Sequence, residues 1–186
     1  VLMWGEPGDS ARGDSRHRRG VVMTCYTGIG SREISPDGYE LARQLGFYLA
    51  VKGLRLRSGG AIGADTAFAE GAGLKRPDLR DIFLPRGVPE WAYREVVHYL
   101  DDGVSLSFMR PNTQALLARN MQQVLGREGD AKSAFLLYWA PVPDGTANDA
   151  GGTRYAVRCA VAHRVPTLNI LDSDLSSVIA WVSDYL

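Results

Sequence analysis

The chain has no excess of charge of either sign. Lys and Arg together number 21, Asp and Glu number 21, and the formal net charge is zero. A protein that gathers nucleic acid by bulk electrostatics usually carries a visible basic surplus, and that surplus is missing. Cysteine is scarce: Cys25 and Cys159 form no CxxC pair, and no His/Cys cluster has the spacing of a metal site. A disulfide framework and a zinc motif are thus excluded. Both thiols are expected to be reduced and buried, and no metal is expected. There is no apolar run of the roughly 20 residues that a membrane span needs, and no signal-peptide core, so the expected location is cytoplasmic. A Walker A lysine, a nucleophile elbow and any cofactor motif are absent as well.

What is present is ordinary in amount and specific in arrangement. The 186 residues are 45% hydrophobic and 23% charged, which suits one soluble domain of normal size. Residues 1–20 lack apolar periodicity and are rich in Gly, Ser and Arg, so they read as a flexible N-terminal arm. The arm contains Arg12-Gly13-Asp14, a short match of no specificity, and Arg16, Arg18 and Arg19, which read as a solvated tail. Residues 21–186 are expected to form a single domain.

Within that domain, strand and helix patterns alternate. Strands are expected at Val21–Tyr26, Leu54–Arg57, Asp81–Leu84, Ser133–Trp139 and Val165–Leu171, at least three of them continuously apolar. Helices are expected at Pro36–Lys52, Ala64–Gly71, Pro89–Leu100 and Pro111–Leu125, and another is opened by Gly151-Gly152-Thr153 and runs through Ala162. A last helix, capped by Asp172 or Ser173, is expected to run to Tyr185. This order predicts an α/β fold: a three-layer, Rossmann-like domain with a mostly parallel sheet of about five or more strands. Such sheets bind ligands beyond the carboxyl ends of their strands.

Three glycine-rich segments fall at those ends. The first is Gly28-Ile29-Gly30-Ser31-Arg32, where glycines let backbone approach a phosphate, Ser31 adds a hydroxyl and Arg32 a bidentate cation. It is not a dinucleotide fingerprint, because residue 33 is Glu. The second is Ser58-Gly59-Gly60-Ala61-Ile62-Gly63-Ala64-Asp65. Asp65 sits in a first helical turn, where it can complement the helix dipole or accept hydrogen bonds from ribose hydroxyls. The third is Gly151-Gly152-Thr153, again ahead of a helix. Weaker candidates are Arg119-Asn120 in mid-helix and Asn169 at a strand end. His98 lies in a helix with no partner in view, and His163, ahead of a strand, reads as a surface or packed residue.

These segments resemble the SLOG superfamily, which includes the Rossmann core of DNA-processing A proteins and the LONELY GUY cytokinin-activating enzymes. The likeness spans about residues 22–171, and Ser58-Gly59-Gly60-Ala61-Ile62-Gly63-Ala64-Asp65 is its most specific part. The short form is similar to members found in bacteriophage and bacterial genomes. The resemblance implies a nucleotide or nucleotide-derived ligand and commonly a homodimer. LONELY GUY enzymes place a catalytic Glu three residues after the Thr of their glycine motif, and here that position is Ala156.

The expected function is therefore binding of a nucleotide-type small molecule. The ligand-binding residues would be Gly28, Ile29, Gly30, Ser31, Arg32, Ser58, Gly59, Gly60, Ala61, Gly63, Asp65, Gly151, Gly152 and Thr153. Two alternatives stand beside it. One is an N-glycosidic hydrolase of nucleoside monophosphates, using Glu70, Asp65 or Glu33. The other is a single-stranded DNA-binding recombination accessory protein, which the neutral charge does not favour. The helical stretch Pro89–Leu125 offers a dimer face.

Overall fold

The computed structural model of the chain describes residues 23–141 and 151–186. The expected N-terminal arm and most of the loop from Ala140 to Ala150 lie outside those residues.

Five strands form one sheet, all parallel: β1 (Cys25–Gly30), β2 (Arg55–Ser58), β3 (Arg80–Ile82), β4 (Leu136–Trp139) and β5 (Thr167–Asn169). Their order across the sheet is β3-β2-β1-β4-β5. The chain steps outward from β1 to β2 and β3, then returns to lay β4 on the other side of β1. That reversal is the topological switch point, where connections diverge and leave a crevice.

Among the described residues, six α-helices cover the two faces: α1 (Pro36–Val51), α2 (Ala64–Lys75), α3 (Glu90–Val97), α4 (Pro111–Leu125), α5 (Thr153–Ala162) and α6 (Leu175–Ser183). Strand side chains alternate between the layers, as pleating requires. In β4, Leu136 and Tyr138 join the core under α3, α4 and α5, with Met121, Val124 and Tyr155. Leu137 and Trp139 join the opposite core, with Leu45, Phe68 and Val182 from α1, α2 and α6. The three-layer Rossmann-like expectation is met, with five strands, all parallel, among the described residues.

Several boundaries move, each for a packing reason. β1 runs on through Gly30, whereas the apolar pattern ended it at Tyr26. Thr27, Gly28, Ile29 and Gly30 pair with Leu136, Leu137, Tyr138 and Trp139. Gly28 is thus a strand residue, not part of a loop, and a Cβ there would meet the Phe68 ring at 2.8 Å. α2 continues past Gly71 to Lys75 because Gly71 is a packing glycine and not a stop: a Cβ there would strike the Arg43 carbonyl of α1. β3 lies at Arg80–Ile82, a residue earlier than its apolar run. β4 and β5 are shorter than their apolar runs, and α3 stops at Val97. The cap of α6 is neither Asp172 nor Ser173 but Asp174. Its carboxylate accepts from Ser177 N–H while the Ser177 hydroxyl lies against the Asp174 backbone, a reciprocal capping box. Asp172 sits in the left-handed turn before it, with φ 57°.

Candidate functional site

A cleft of about 560 Å³ opens at the carboxyl ends of β1 and β4, on the α4 side of the sheet. Strand β1 delivers Ile29 and Gly30 to it, and the loop that follows delivers Ser31, Arg32 and Glu33. The loop after β2 contributes Ala61, and the first turn of α2 contributes Asp65. Gly151, Gly152 and Thr153 close the far side at the start of α5. Nine of the fourteen residues expected from sequence thus converge, drawn from all three glycine-rich segments.

The other five do not line the cleft, and the structure gives each a supporting task. Gly28 clears room for Phe68. Ser58, fully buried, donates its hydroxyl to the Gly28 carbonyl at 2.7 Å and ties β2 to β1. Gly60 has φ 64° and turns the loop. Gly63 has φ 96°, and its hydrogen faces the Ser31 carbonyl and Arg32 backbone so closely that a side chain there has no room. Gly59 lies against the Arg119 guanidinium, and any Cβ would occupy that group's place.

Arg119 is the centre of the floor. It comes from α4, where it is 5% exposed, and its Nη1 lies 3.5 Å from Asp65 Oδ2. Asp65 is equally buried. Its two carboxylate oxygens accept from Gly30 N–H and Gly59 N–H, each at 3.1 Å. One carboxylate therefore fastens the ends of β1 and β2 to α4. With its amide oxygen turned toward the donors, Gln123 accepts from Gly59 N–H at 2.8 Å and from Arg119 at 2.5 Å, and donates to Asn120 Oδ1 at 3.3 Å. Asn120 in turn donates to the Gly152 carbonyl at 2.8 Å and holds the third segment in place. Among the described residues, Arg119 Nε has no hydrogen-bond partner.

The electrostatics follow from this packing. Burial holds the Asp65 carboxyl above the usual Asp range, against the opposing pull of Arg119 and of the N–H groups of Gly30, Ala61 and Gly59. Burial also pulls the Arg119 guanidinium down, Asp65 raises it, and the positive charge of Arg32 at the rim lowers it further. A guanidinium does not lose its proton at physiological pH, so Arg119 stays cationic. Two cations, Arg32 and Arg119, thus share one cleft with two carboxylates, the engaged Asp65 and Glu33 at the rim. The start of α5 adds the positive end of a ten-residue helix whose cap, Gly152, makes no side-chain hydrogen bond.

Other sequence candidates fare differently. Ribose recognition by Asp65 would compete with the two backbone N–H groups and the guanidinium it already holds. Glu70 lies off the cleft, where its carboxylate accepts from Tyr39 Oη at 2.7 Å. Ala156 is fully buried in α5. Among the expected acids, Glu33 alone reaches the rim without a buried structural bond. Asn169 does not face the cleft as a ligand: its amide bridges the backbone N–H and carbonyl of Ala140, fastening β5 to β4. Sequence reasoning missed Thr113, Leu116, Leu117 and Gln123 as lining residues. Leu116 and Leu117 read as core from helical spacing alone. Only the tilt of α4 across the sheet end shows that they wall a cleft. Cys25 is half-buried, not buried, and Cys159 is buried; both are free thiols.

No helix among the described residues is long and apolar enough to cross a membrane. No family model matches the chain, and no curated protein matches it. Among solved structures, it is similar to DNA processing protein A from Helicobacter pylori, a protein that binds single-stranded DNA. The TM-score is 0.51 and the identity 20%, over 88% of this chain and 74% of that one. At that identity the likeness speaks for the fold alone: the chain has a Rossmann-like fold of the DNA-processing-protein-A type.

Proposed function

We propose that the cleft grips the sugar-phosphate backbone of single-stranded DNA. The observation that carries this reading is two cations in one open cleft, Arg32 exposed at its rim and the Arg119 guanidinium buried in its floor, beside the α5 N-terminus. A phosphate oxygen is the natural acceptor for an exposed guanidinium such as Arg32 and for the free N–H groups at a helix start. The shared fold with a single-stranded DNA-binding protein supports the strand as the source of that phosphate. Ile29, Leu116, Leu117 and Pro141 supply an apolar wall for a sugar. The described lining holds no aromatic ring, so the grip falls on the backbone and is tolerant of base sequence.

A free nucleotide is the second reading. The cleft volume matches a single small-molecule ligand, and the zero net charge provides no long-range attraction to a polyanion. Anisotropy of a labelled oligothymidylate at low salt separates the two. The strand reading expects saturable binding that Arg32→Ala weakens about tenfold, the scale of one charge-assisted hydrogen bond. Binding of mononucleotides with no retention of the oligonucleotide would replace it with the second reading. Membership of the SLOG superfamily, of the short phage and bacterial type, a cytoplasmic location, one domain over residues 21–186 and a homodimer all belong to this same proposal.

A further inference from the structure

Away from the cleft, α3 and α5 both pack on α4, and a group of potential metal ligands closes the gap between them. Cys159 and His163 are four residues apart at the end of α5, so one helical turn puts both on the same face. Glu95 comes from α3, 68 residues distant in sequence, and its Oε1 lies 2.8 Å from His163 Nε2. The sulfur, the imidazole nitrogen and the carboxylate oxygen all lie within 4.8 Å of one another. A tetrahedral zinc ion would need its ligand atoms roughly 3.3–3.6 Å apart, given metal–ligand bonds of about 2.0–2.3 Å. The three groups already lie near that spacing: the His163–Glu95 pair, at 2.8 Å, must open slightly, and no pair is farther apart than 4.8 Å.

We propose that Glu95, Cys159 and His163 form a binding site for one divalent transition-metal ion, zinc being the fit, that clamps α3 to α5. The mixed sulfur, nitrogen and oxygen set selects a borderline-soft ion and disfavours magnesium or calcium, which take oxygen ligands alone. Cys159 is fully buried, whereas the His163 and Glu95 side chains are 38% and 24% exposed. The site is thus deep at the sulfur and open on one side, with access for the ion and for a water as fourth ligand. Tyr99 donates its phenol to Glu95 Oε1 at 2.5 Å and orients the carboxylate, the task that outer-shell partners perform at metal sites.

The chemistry balances simply. The metal replaces the His163–Glu95 hydrogen bond, bonds form to the three ligand atoms, and the Cys159 thiol proton leaves to solvent. Without metal, burial pushes the Cys159 thiol up to about 12, so the bare thiolate is unfavourable and the ion must supply the driving force. Lys132 donates to the His163 carbonyl at 3.1 Å and steadies the end of α5. The site is about ten residues along α5 from Gly152, and it is independent of what the cleft binds.

The test uses the full chain, stripped with a chelator and titrated with cobalt and then zinc. One cobalt per chain with a thiolate-to-cobalt charge-transfer band, displaced by zinc, is expected. Cys159→Ser should abolish the band and Cys25→Ser should leave it. His163→Gln, on a partly exposed side chain, should weaken binding by at least tenfold, and Tyr99→Phe by on the order of tenfold. Zinc should raise the melting temperature of the native chain and not that of His163→Gln. No charge-transfer band in the native chain, a band that follows Cys25, or undiminished affinity in a folded His163→Gln would overturn the site.

Discussion

At the scale of single residues, the cleft depends on a position that carries no side chain. Gly59 lies where the Arg119 guanidinium needs to be, and its N–H is shared between Asp65 and Gln123. Ala at 59 cannot be absorbed by a small rotation, because the guanidinium is held on one side by Asp65 and on another by Gln123. Gly59→Ala should cost about 1–3 kcal/mol, the usual range for overpacking a tight interior, and should displace Arg119 from the floor. Chemical denaturation measures the first effect, and loss of oligonucleotide binding the second. An unchanged denaturation midpoint with intact binding would show that Arg119 is not fixed as described. Asp65 belongs to the same unit. Removing it would leave Arg119 buried without its counter-charge, which is why the two are best regarded as one structural group.

At the scale of elements, contacts between small residues and rings place the strands and helices. α1 and α2 pack closely because Gly46 and Gly71 let each backbone approach the other, and Gly28 lets Phe68 lie flat on β1. The last helix depends on its cap. Asp174 accepts from the Ser176 hydroxyl at 2.7 Å and from Ser177 N–H at 2.7 Å. These hydrogen bonds hold its carboxyl below the usual Asp range. A lowered folded-state pKa means that this stabilisation is present above the unfolded-state value near 3.8 and is lost as pH falls through the lower folded value. Asp174→Asn keeps the cap without the titration. Its denaturation midpoint, followed from neutral pH down into the acid range, should fall less steeply than that of the native chain. Parallel acid limbs would remove Asp174 from the account.

Across the whole molecule, binding has to be local. With 21 cations against 21 anions, no net field draws a polyanion toward the protein. If Arg32 and Arg119 are the two cations that meet phosphate, the log–log salt dependence of oligonucleotide binding should have a slope of about −1.4, from about −0.7 per neutralised phosphate of a single strand. Anisotropy titrations at several salt concentrations read this directly. A slope several times steeper would mean that a wider basic surface takes part. The location of the cleft is itself a property of the whole fold. It lies where β4 turns back beside β1, and no local segment encodes that reversal.

The alternation of strand and helix patterns was enough to determine a mostly parallel, helix-covered sheet, because burial on both faces leaves a continuous apolar signature in central strands such as β4. The glycine-rich segments at strand ends were legible for the same local reason: a tight turn needs a residue without Cβ. Which glycines face the cleft and which make room for Phe68, Arg119 or the Arg32 backbone was decided only by the tertiary structure, since a packing glycine and a ligand-facing glycine look the same in sequence. Arg119, Asp65 and Gln123 converge from α4 and α2. Glu95 meets Cys159 and His163 across 68 residues of chain. Such meetings depend on how helices cross the sheet, and spacing along the chain does not record them.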